Sequence, residues 1–462
     1  MKRKNGILSK ELRNIYFLGI GGIGMSALAR YFQSKGVKVS GYDRTSSPLT
    51  DQLQSEGIEI HFDDNPQLIP ENIDLVIYTP AVPKTLNEYK FIISKDIPVV
   101  KRAEILGELS TEYKTIAVAG THGKTTVSTM IAWLLHNSGK SCNAILGGIS
   151  KNFNSNVLLS DKSGLLVTEA DEFDRSFLHI HPEFAVITSA DADHLDIYNN
   201  KNNLIQSFSE FIQGINPGGT LLIKKGVDLT SETDNHKVYT YSLTEKSDFF
   251  ATNIRLSEDR YIFDLVIPNE TINDLSPGIP GLLNLENSVA ALAAAILNGA
   301  EADELRKALP EFEGIKRRFE YQIQSNELVF IDDYAHHPAE IHAVLDSVKS
   351  LYPGKKVLAI FQPHLYSRTR DFADGFAESL DVADEVILLP IYPAREMPVD
   401  GVSSGLIFNK MKNENKVIFS KSDLPGKLSG FEFDILITLG AGDIDRLVSP
   451  IKDFLTENYL AK

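Results

Sequence analysis

Thr115-Ile116-Ala117-Val118-Ala119-Gly120-Thr121-His122-Gly123-Lys124-Thr125-Thr126 is a short β-rich apolar run that empties into a glycine turn, a lysine and two hydroxyls. A strand, a glycine turn and a helix start in that order build a phosphate cradle. The glycines let backbone amides face an anion, the lysine supplies a mobile point charge, and the next hydroxyl can reach a divalent cation. The full Walker A spacing wants a glycine where this chain has Val118, so the loop is a shortened form. Gly120, Thr121, His122 and Gly123 are expected to wrap the phosphates. Lys124 reaches the β- and γ-phosphates, and Thr125, followed by Thr126, places a hydroxyl on Mg2+.

Upstream, the run 15–18 leads into Gly19-Ile20-Gly21-Gly22-Ile23-Gly24, and Asp43 follows at the end of a further strand. Glycines at this spacing let a backbone approach a pyrophosphate at a helix N-terminus, with the acid on a ribose. Taken alone, this loop suits a dinucleotide, another nucleotide diphosphate, or a turn that only packs strand against helix. Together the two loops predict two phosphorylated ligands and a transfer reaction.

Apolar runs at 15–18, 37–42, 75–79, 115–119, 165–168, 185–188, 328–331, 357–361, 386–389 and 435–439 alternate with helical stretches. That pattern predicts an α/β protein with mostly parallel sheets. At 462 residues the chain exceeds what one core usually serves. Boundaries are expected near 106, in the polar segment 101–114, and near 312, before Gly314-Ile315-Lys316-Arg317-Arg318-Phe319-Glu320 opens a new alternation, giving segments 1–106, 107–312 and 313–462. The stretch 216–274, with Pro217-Gly218-Gly219 and alternation at 261–266, reads as an antiparallel insertion or extension of the middle segment. Helices are expected at 285–297 and near Leu305.

The net charge of -16 argues against nucleic acid or an anionic membrane as the main partner. Cys142 is the single cysteine, which excludes an intramolecular disulfide and a cysteine-rich metal cluster and suits a reducing cytosol; it reads as a buried filler. Lys2, Arg3 and Lys4 are followed by no apolar stretch before Glu11 and Arg13, so no secretory signal is expected. The alanine-rich stretch 289–297 is too short to span a bilayer, so membrane insertion is not expected.

Two acidic segments follow predicted strands. Glu169-Ala170-Asp171-Glu172-Phe173-Asp174 ends the run 165–168, and Ala190-Asp191-Ala192-Asp193-His194-Leu195-Asp196 follows the run 185–188. Open parallel sheets bind ligands at that edge, and hard oxygen donors there suit Mg2+. His336-His337 could suggest zinc, but adjacent histidines point apart on most backbones and no third ligand at suitable spacing is evident.

Taken in order with Asn284, Asn287, Arg317-Arg318-Phe319, Asp332-Asp333-Tyr334-Ala335-His336-His337-Pro338 and Phe361-Gln362-Pro363-His364 through Arg370, these motifs resemble the Mur ligases. Within that family the likeness is to the members that join L-alanine to UDP-N-acetylmuramate in peptidoglycan precursor synthesis. It covers almost the whole chain.

The resemblance implies three domains: a Rossmann-like UDP-sugar domain, a central ATPase, and a Rossmann-like C-terminal lid over the nucleotide. It gives Gly19, Gly21, Gly22, Gly24 and Asp43 to the UDP-sugar. It gives Lys124 to the γ-phosphate, and Thr125, Glu169 and His194 to Mg2+. It puts Asn284 and Asn287 toward adenine, Arg318 on phosphate, Asp333 on ribose, and His336 and Arg368 near the amino acid. Lys124→Ala is expected to remove turnover and leave the fold intact, because a loop lysine facing solvent or ligand adds little packing.

Four positions depart from the family pattern: Leu283 for a histidine, Leu365 for an arginine, and Phe173 and Arg175 for smaller residues. Ser209 stands where sister ligases carry a modified lysine. The rival readings are a ligase that adds a whole tripeptide to the same sugar nucleotide, an NAD-dependent oxidoreductase resting on the first loop alone, and a non-enzymatic nucleotide sensor.

Overall fold

A computed structural model describes residues 6–9, 11–191, 198, 200–229, 235–257, 260–394 and 396–460, and these form three β-sheets. The first comprises β1 (Asn14–Leu18), β2 (Lys38–Tyr42), β3 (Glu59–His61), β4 (Leu75–Tyr78) and β5 (Val99–Lys101), in the order β3-β2-β1-β4-β5. All its pairings are parallel. Alternate residues of β1 feed opposite cores, Ile15 and Phe17 one side and Tyr16 and Leu18 the other, which is why the strand reads as an unbroken apolar run. The strand order reverses at β1, so the loop 19–24 leaves the sheet at its topological switch point.

The second sheet holds β6 (Lys114–Ala119), β7 (Asn143–Ser150), β8 (Ser155–Leu158), β9 (Leu165–Glu169), β10 (Phe184–Ile187), β11 (Thr220–Lys224), β12 (Lys237–Ser242), β13 (Phe249–Ser257), β14 (Arg260–Ile267) and β15 (Glu270–Leu275). Their order is β15-β14-β13-β12-β11-β10-β6-β9-β7-β8. The stretch 216–274 is not antiparallel throughout. β11 and β12 continue the parallel ladder from β10, and the antiparallel pairing lies between β14 and β15. Central β6 pairs in parallel with β9 and β10, so three neighbouring strands release their loops on one edge. Cys142 is fully buried near the Ala132 carbonyl, and burial pushes its thiol up to about 12, leaving a small core side chain.

The third sheet comprises β16 (Glu320–Gln324), β17 (Val329–Asp333), β18 (Val357–Phe361), β19 (Glu385–Leu388), β20 (Lys416–Ile418) and β21 (Ile435–Leu439), ordered β16-β17-β21-β18-β19-β20. It is parallel apart from β16. Its strands also alternate between two cores, with Phe330, Leu358, Ile360 and Leu436 on one side and Ile331, Ala359, Phe361 and Ile437 on the other.

The chain divides into two compact units. One is Met1–Ile254, Phe263–Leu275 and Asn287–Glu313, with the first sheet and most of the second; the other is Arg255–Ile262, Ser276–Glu286 and Gly314–Lys462, with the third and the adjoining ends of β13 and β14. The expected division at 106 falls inside the helix Arg102–Glu112. A buried polar knot unites the first two sheets. The Asn156 amide of β8 donates to the Ile23 carbonyl at 2.6 Å and the Ser26 hydroxyl at 2.9 Å, and accepts from Arg30, all on the helix Ile23–Ser34. Arg30 is held in turn by both oxygens of Glu56 at 2.7 and 2.8 Å. Among the described residues no helix is long and apolar enough to cross a membrane.

Candidate active site

The loop 120–126 is built for close approach. Gly120 has φ +138, and a Cβ there would lie 2.1 Å from the Thr188 hydroxyl. Gly123, at φ +80, caps the helix Lys124–Asn137 without a side-chain hydrogen bond, and a Cβ on it would meet the Asn287 amide oxygen at 2.8 Å. Neither position tolerates a side chain, and the first-turn amides face no capping side chain. The residues after β10 brace the loop: the His122 amide donates to Ser189 Oγ at 2.8 Å, Thr121 and Ser189 share a hydroxyl contact at 2.9 Å, and the Asp191 amide donates to Thr121 Oγ1 at 3.1 Å. The His122 ring lies 3.8 Å from the Asp191 carboxylate.

Lys124 is largely buried, with 12% of its side chain exposed, which the sequence did not reveal. Its Nζ donates to the Gly120 carbonyl at 2.7 Å and lies 3.0 and 2.8 Å from the two oxygens of Glu172, whose carboxylate has no solvent exposure. Burial alone would lower the ammonium's pKa. The carboxylates of Glu172, Asp171 and Glu169 more than offset it and hold the group charged. Lys124 therefore does not stand in solvent as expected, and removing it would strand the buried Glu172 carboxylate, so Lys124→Ala is expected to cost stability as well as turnover. Thr125 donates its hydroxyl to Glu169 Oε2 at 2.9 Å. Gly147 on β7 leaves that oxygen its room, since a Cβ there would sit 1.8 Å away. Thr125 and Glu169 thus converge as two hard oxygen donors at the head of the helix, a donor set that fits Mg2+. His194 lies outside the described residues.

In the first loop Asp43 spends both oxygens on backbone amides, Oδ2 on Gly21 at 2.7 Å and Oδ1 on Arg44 at 2.7 Å. The Tyr42 carbonyl accepts from the amides of Gly19 and Ile20 at 2.8 and 3.1 Å. Gly22 caps its helix without a side-chain bond, and a Cβ on Gly24 would meet the Arg102 guanidinium at 2.8 Å. Arg102 lies 3.9 Å from Asp171, and Lys101 lies 3.1 Å from Asp174. Two basic residues at the end of β5 and just after it therefore reach the acidic segment that follows β9. Asp174 and Arg175 both take φ +53, which kinks that segment.

The second unit gathers other expected residues around Tyr334. The guanidinium carbons of Arg317 and Arg318 lie 5.2 and 5.0 Å from its ring, and burial raises the phenol's pKa against the pull of Arg318, Arg317 and Arg368. Arg317 is tied to Asp332 at 3.2 Å and to the Gly440 carbonyl at 2.6 Å, whereas Arg318 has no carboxylate at ion-pair distance among the described residues. Asp333 accepts from the amides of Phe319 at 2.6 Å and Ala335 at 2.7 Å, and burial pushes its carboxyl up to about 6. It fixes a backbone in which Arg317 and Phe319 take φ +62 and +47. His336 contacts Glu340 at 3.4 Å, while His337 caps the helix Pro338–Leu351 and packs on Phe372. Arg368 is buried in the helix Tyr366–Asp371, which starts at Leu365 with φ +70. Asn284 donates to the Pro280 carbonyl at 2.7 Å in this unit, and Leu283 is exposed.

Sequence reasoning missed Glu172, Ser189, Tyr334 and Arg102. Glu172 was in view as one of four acids, but spacing cannot tell which carboxylate meets the lysine.

Two glycine loops, one followed by a largely buried lysine and a pair of hard oxygen donors, define a nucleotide-binding α/β protein. A family model for the Mur ligase middle domain matches residues 118–295, one for the Mur ligase family catalytic domain matches 14–114, and one for the Mur ligase glutamate ligase domain matches 317–425. The chain belongs to the Mur ligase family. It is similar to a UDP-N-acetylmuramate--L-alanine ligase of Flavobacterium johnsoniae, 49% identical over 97% of this chain and 99% of that one. Among solved structures it is similar to a UDP-N-acetylmuramate-alanine ligase of Thermotoga maritima, with TM-score 0.82 and 28% identity over 96% and 99% of the two chains. A murein peptide ligase of Psychrobacter arcticus shares the fold at TM-score 0.71 and 24% identity, covering 97% and 100%.

Proposed function

We propose that the protein joins L-alanine to the lactyl carboxylate of UDP-N-acetylmuramate at the expense of ATP, in peptidoglycan precursor synthesis. The observation that carries this reading is the 49% identity, over nearly the full length of both chains, to an enzyme of that name. Family membership removes the oxidoreductase reading of the first loop, and the loop 19–24 then serves the pyrophosphate of the UDP-sugar.

A carboxylate and an amine do not condense unaided in water. The lactyl carboxylate attacks the γ-phosphorus of ATP, giving an acyl phosphate and ADP. The neutral amine of L-alanine then attacks the acyl carbon, phosphate leaves, and the amine proton passes to solvent. The first step gathers negative charge, so stabilisation is chiefly electrostatic. Lys124 meets that charge with an ammonium already desolvated, and the loop amides of 120–126 orient the triphosphate. Thr125 and Glu169, with His194, are proposed to hold Mg2+, which would offset charge on the phosphates. Arg318, which has no carboxylate at ion-pair distance among the described residues, is proposed for phosphate, with Asp333 toward ribose, Asn284 and Asn287 toward adenine, and His336 and Arg368 toward the amino acid. On this reading 1–106 serves the UDP-sugar, 107–312 serves ATP, and 313–462 supplies Arg318.

Chromatography of products from UDP-N-acetylmuramate, ATP and either L-alanine, glycine, L-serine or the tripeptide tests the proposal. ADP, phosphate and the L-alanine adduct are expected, without AMP or pyrophosphate. Turnover with the tripeptide far above that with L-alanine would move the assignment to the tripeptide-adding ligase.

A further inference from the structure

Lys124 carries three N–H donors. One is spent on the Gly120 carbonyl and a second on Glu172, so among the described residues a single donor is left for a ligand. The Glu172 carboxylate is fully buried, and its own backbone carbonyl is pinned by the Tyr198 hydroxyl at 2.6 Å and the Arg175 amide at 3.0 Å. Those two bonds, with the left-handed turn at Asp174 and Arg175, fix the carboxylate from behind. A flexible lysine stem is thereby clamped at its tip from two sides. Nothing in the phosphoryl-transfer chemistry requires a carboxylate at this point, since opposite charge beside the ammonium competes with phosphate for it.

We propose that Glu172 is a positioning residue for phosphoryl transfer, which holds the Lys124 ammonium against the Gly120 carbonyl so that its remaining N–H is aimed into the cradle before nucleotide arrives. This rests on the reading of Lys124 as the γ-phosphate contact. Glu172 acts through Lys124 and touches no substrate, so its removal alters the rate of the transfer step while recognition of the sugar nucleotide and amine stays as it was.

Steady-state kinetics of the full chain as wild type, Glu172→Gln and Glu172→Asp test it, with thermal melts to confirm folding. Misplacing a catalytic group by about 1 Å can cost roughly 100-fold. Glu172→Gln is therefore expected to lower kcat by about 30-fold or more, with KM for UDP-N-acetylmuramate and L-alanine unchanged. Glu172→Asp, which keeps the charge on a shorter arm, should recover part of the loss. Should Glu172→Gln fail to fold, Glu172→Asp carries the test alone, with kcat lowered about 10-fold at unchanged KM for the other two substrates. A folded Glu172→Gln or Glu172→Asp enzyme with wild-type kcat would overturn the proposal, as would tighter nucleotide binding at unchanged kcat, which would make Glu172 a mere competitor of phosphate. A wild-type enzyme that accepts a different amine would change the proposed function and leave the kcat comparison intact.

Discussion

Both glycine loops leave a central strand with parallel neighbours on both sides and run into a helix without a side-chain cap, yet they are finished in opposite ways. The first has no lysine; Asp43 bonds to its amides, and the Tyr42 carbonyl holds its entry. The second has a largely buried ammonium whose counter-charge, Glu172, is wholly removed from water. The difference matches two tasks. A pyrophosphate that stays intact needs a fixed mould of amides, whereas a phosphoryl group in transit needs a charge whose position is set in advance.

The contrast is broken most severely at Lys124. Lys124→Ala is expected to lower turnover by at least about 1,000-fold, and, unlike a surface lysine, to cost roughly 3 kcal/mol of stability by stranding Glu172. The double variant Lys124→Ala/Glu172→Ala should regain part of that stability and none of the activity, as read by denaturant titration and a coupled ADP assay. A single variant as stable as wild type would mean that the Lys124–Glu172 pair carries no net stability.

Asp43→Asn tests the other loop. Replacing a charged acceptor of a backbone amide costs about 1.5 kcal/mol, so KM for UDP-N-acetylmuramate should rise on the order of 10-fold, with KM for ATP unchanged. Calorimetry should also show no useful NAD binding. A shift in KM for ATP alone would exchange the roles of the loops.

The smallest effect expected is a pH dependence confined to the first sheet. Glu88 is fully buried beneath it, accepting from the Tyr16 hydroxyl at 2.6 Å and the Asn65 amide at 3.2 Å. His61 lies 2.8 Å from the same hydroxyl, Asp64 caps the amides of Asn87 and Glu88, and Tyr42 packs beside His61. Burial raises the Glu88 carboxyl from 4.5 to about 7 and lowers His61. The folded state therefore binds the Glu88 proton more tightly than the unfolded chain does. The corresponding stability is fully present below about pH 4.5 and is lost as pH rises through about 7, on the order of 1–3 kcal/mol in all. Glu88→Gln should flatten that part of the profile in thermal melts; an unchanged slope would show that another group titrates there.

The central strands were legible because burial on both faces writes them as apolar runs, and each expected run overlaps an observed strand, from β1 to β21. The edges were not. β3 and β5 have three residues each, and β7 hides its continuity behind Gly147 and Gly148. In the candidate site, Lys124, Thr125 and Glu169 were legible because glycine turns and acids after strands are local signals. The left-handed turns at Arg317, Phe319 and Leu365 carry no glycine to flag them. The pairing of Lys124 with Glu172 depends on the fold of two separate loops, a relation that no spacing in the chain encodes.

Transfer of the γ-phosphoryl group to the sugar's carboxylate is the central proposed step, and oxygen transfer reports it most directly. UDP-N-acetylmuramate labelled with 18O in the lactyl carboxylate would be turned over with ATP and L-alanine, and the inorganic phosphate read by 31P NMR. One 18O from the labelled carboxylate should appear in each phosphate released. Product formed with unlabelled phosphate would contradict the acyl-phosphate route and the role given to Lys124.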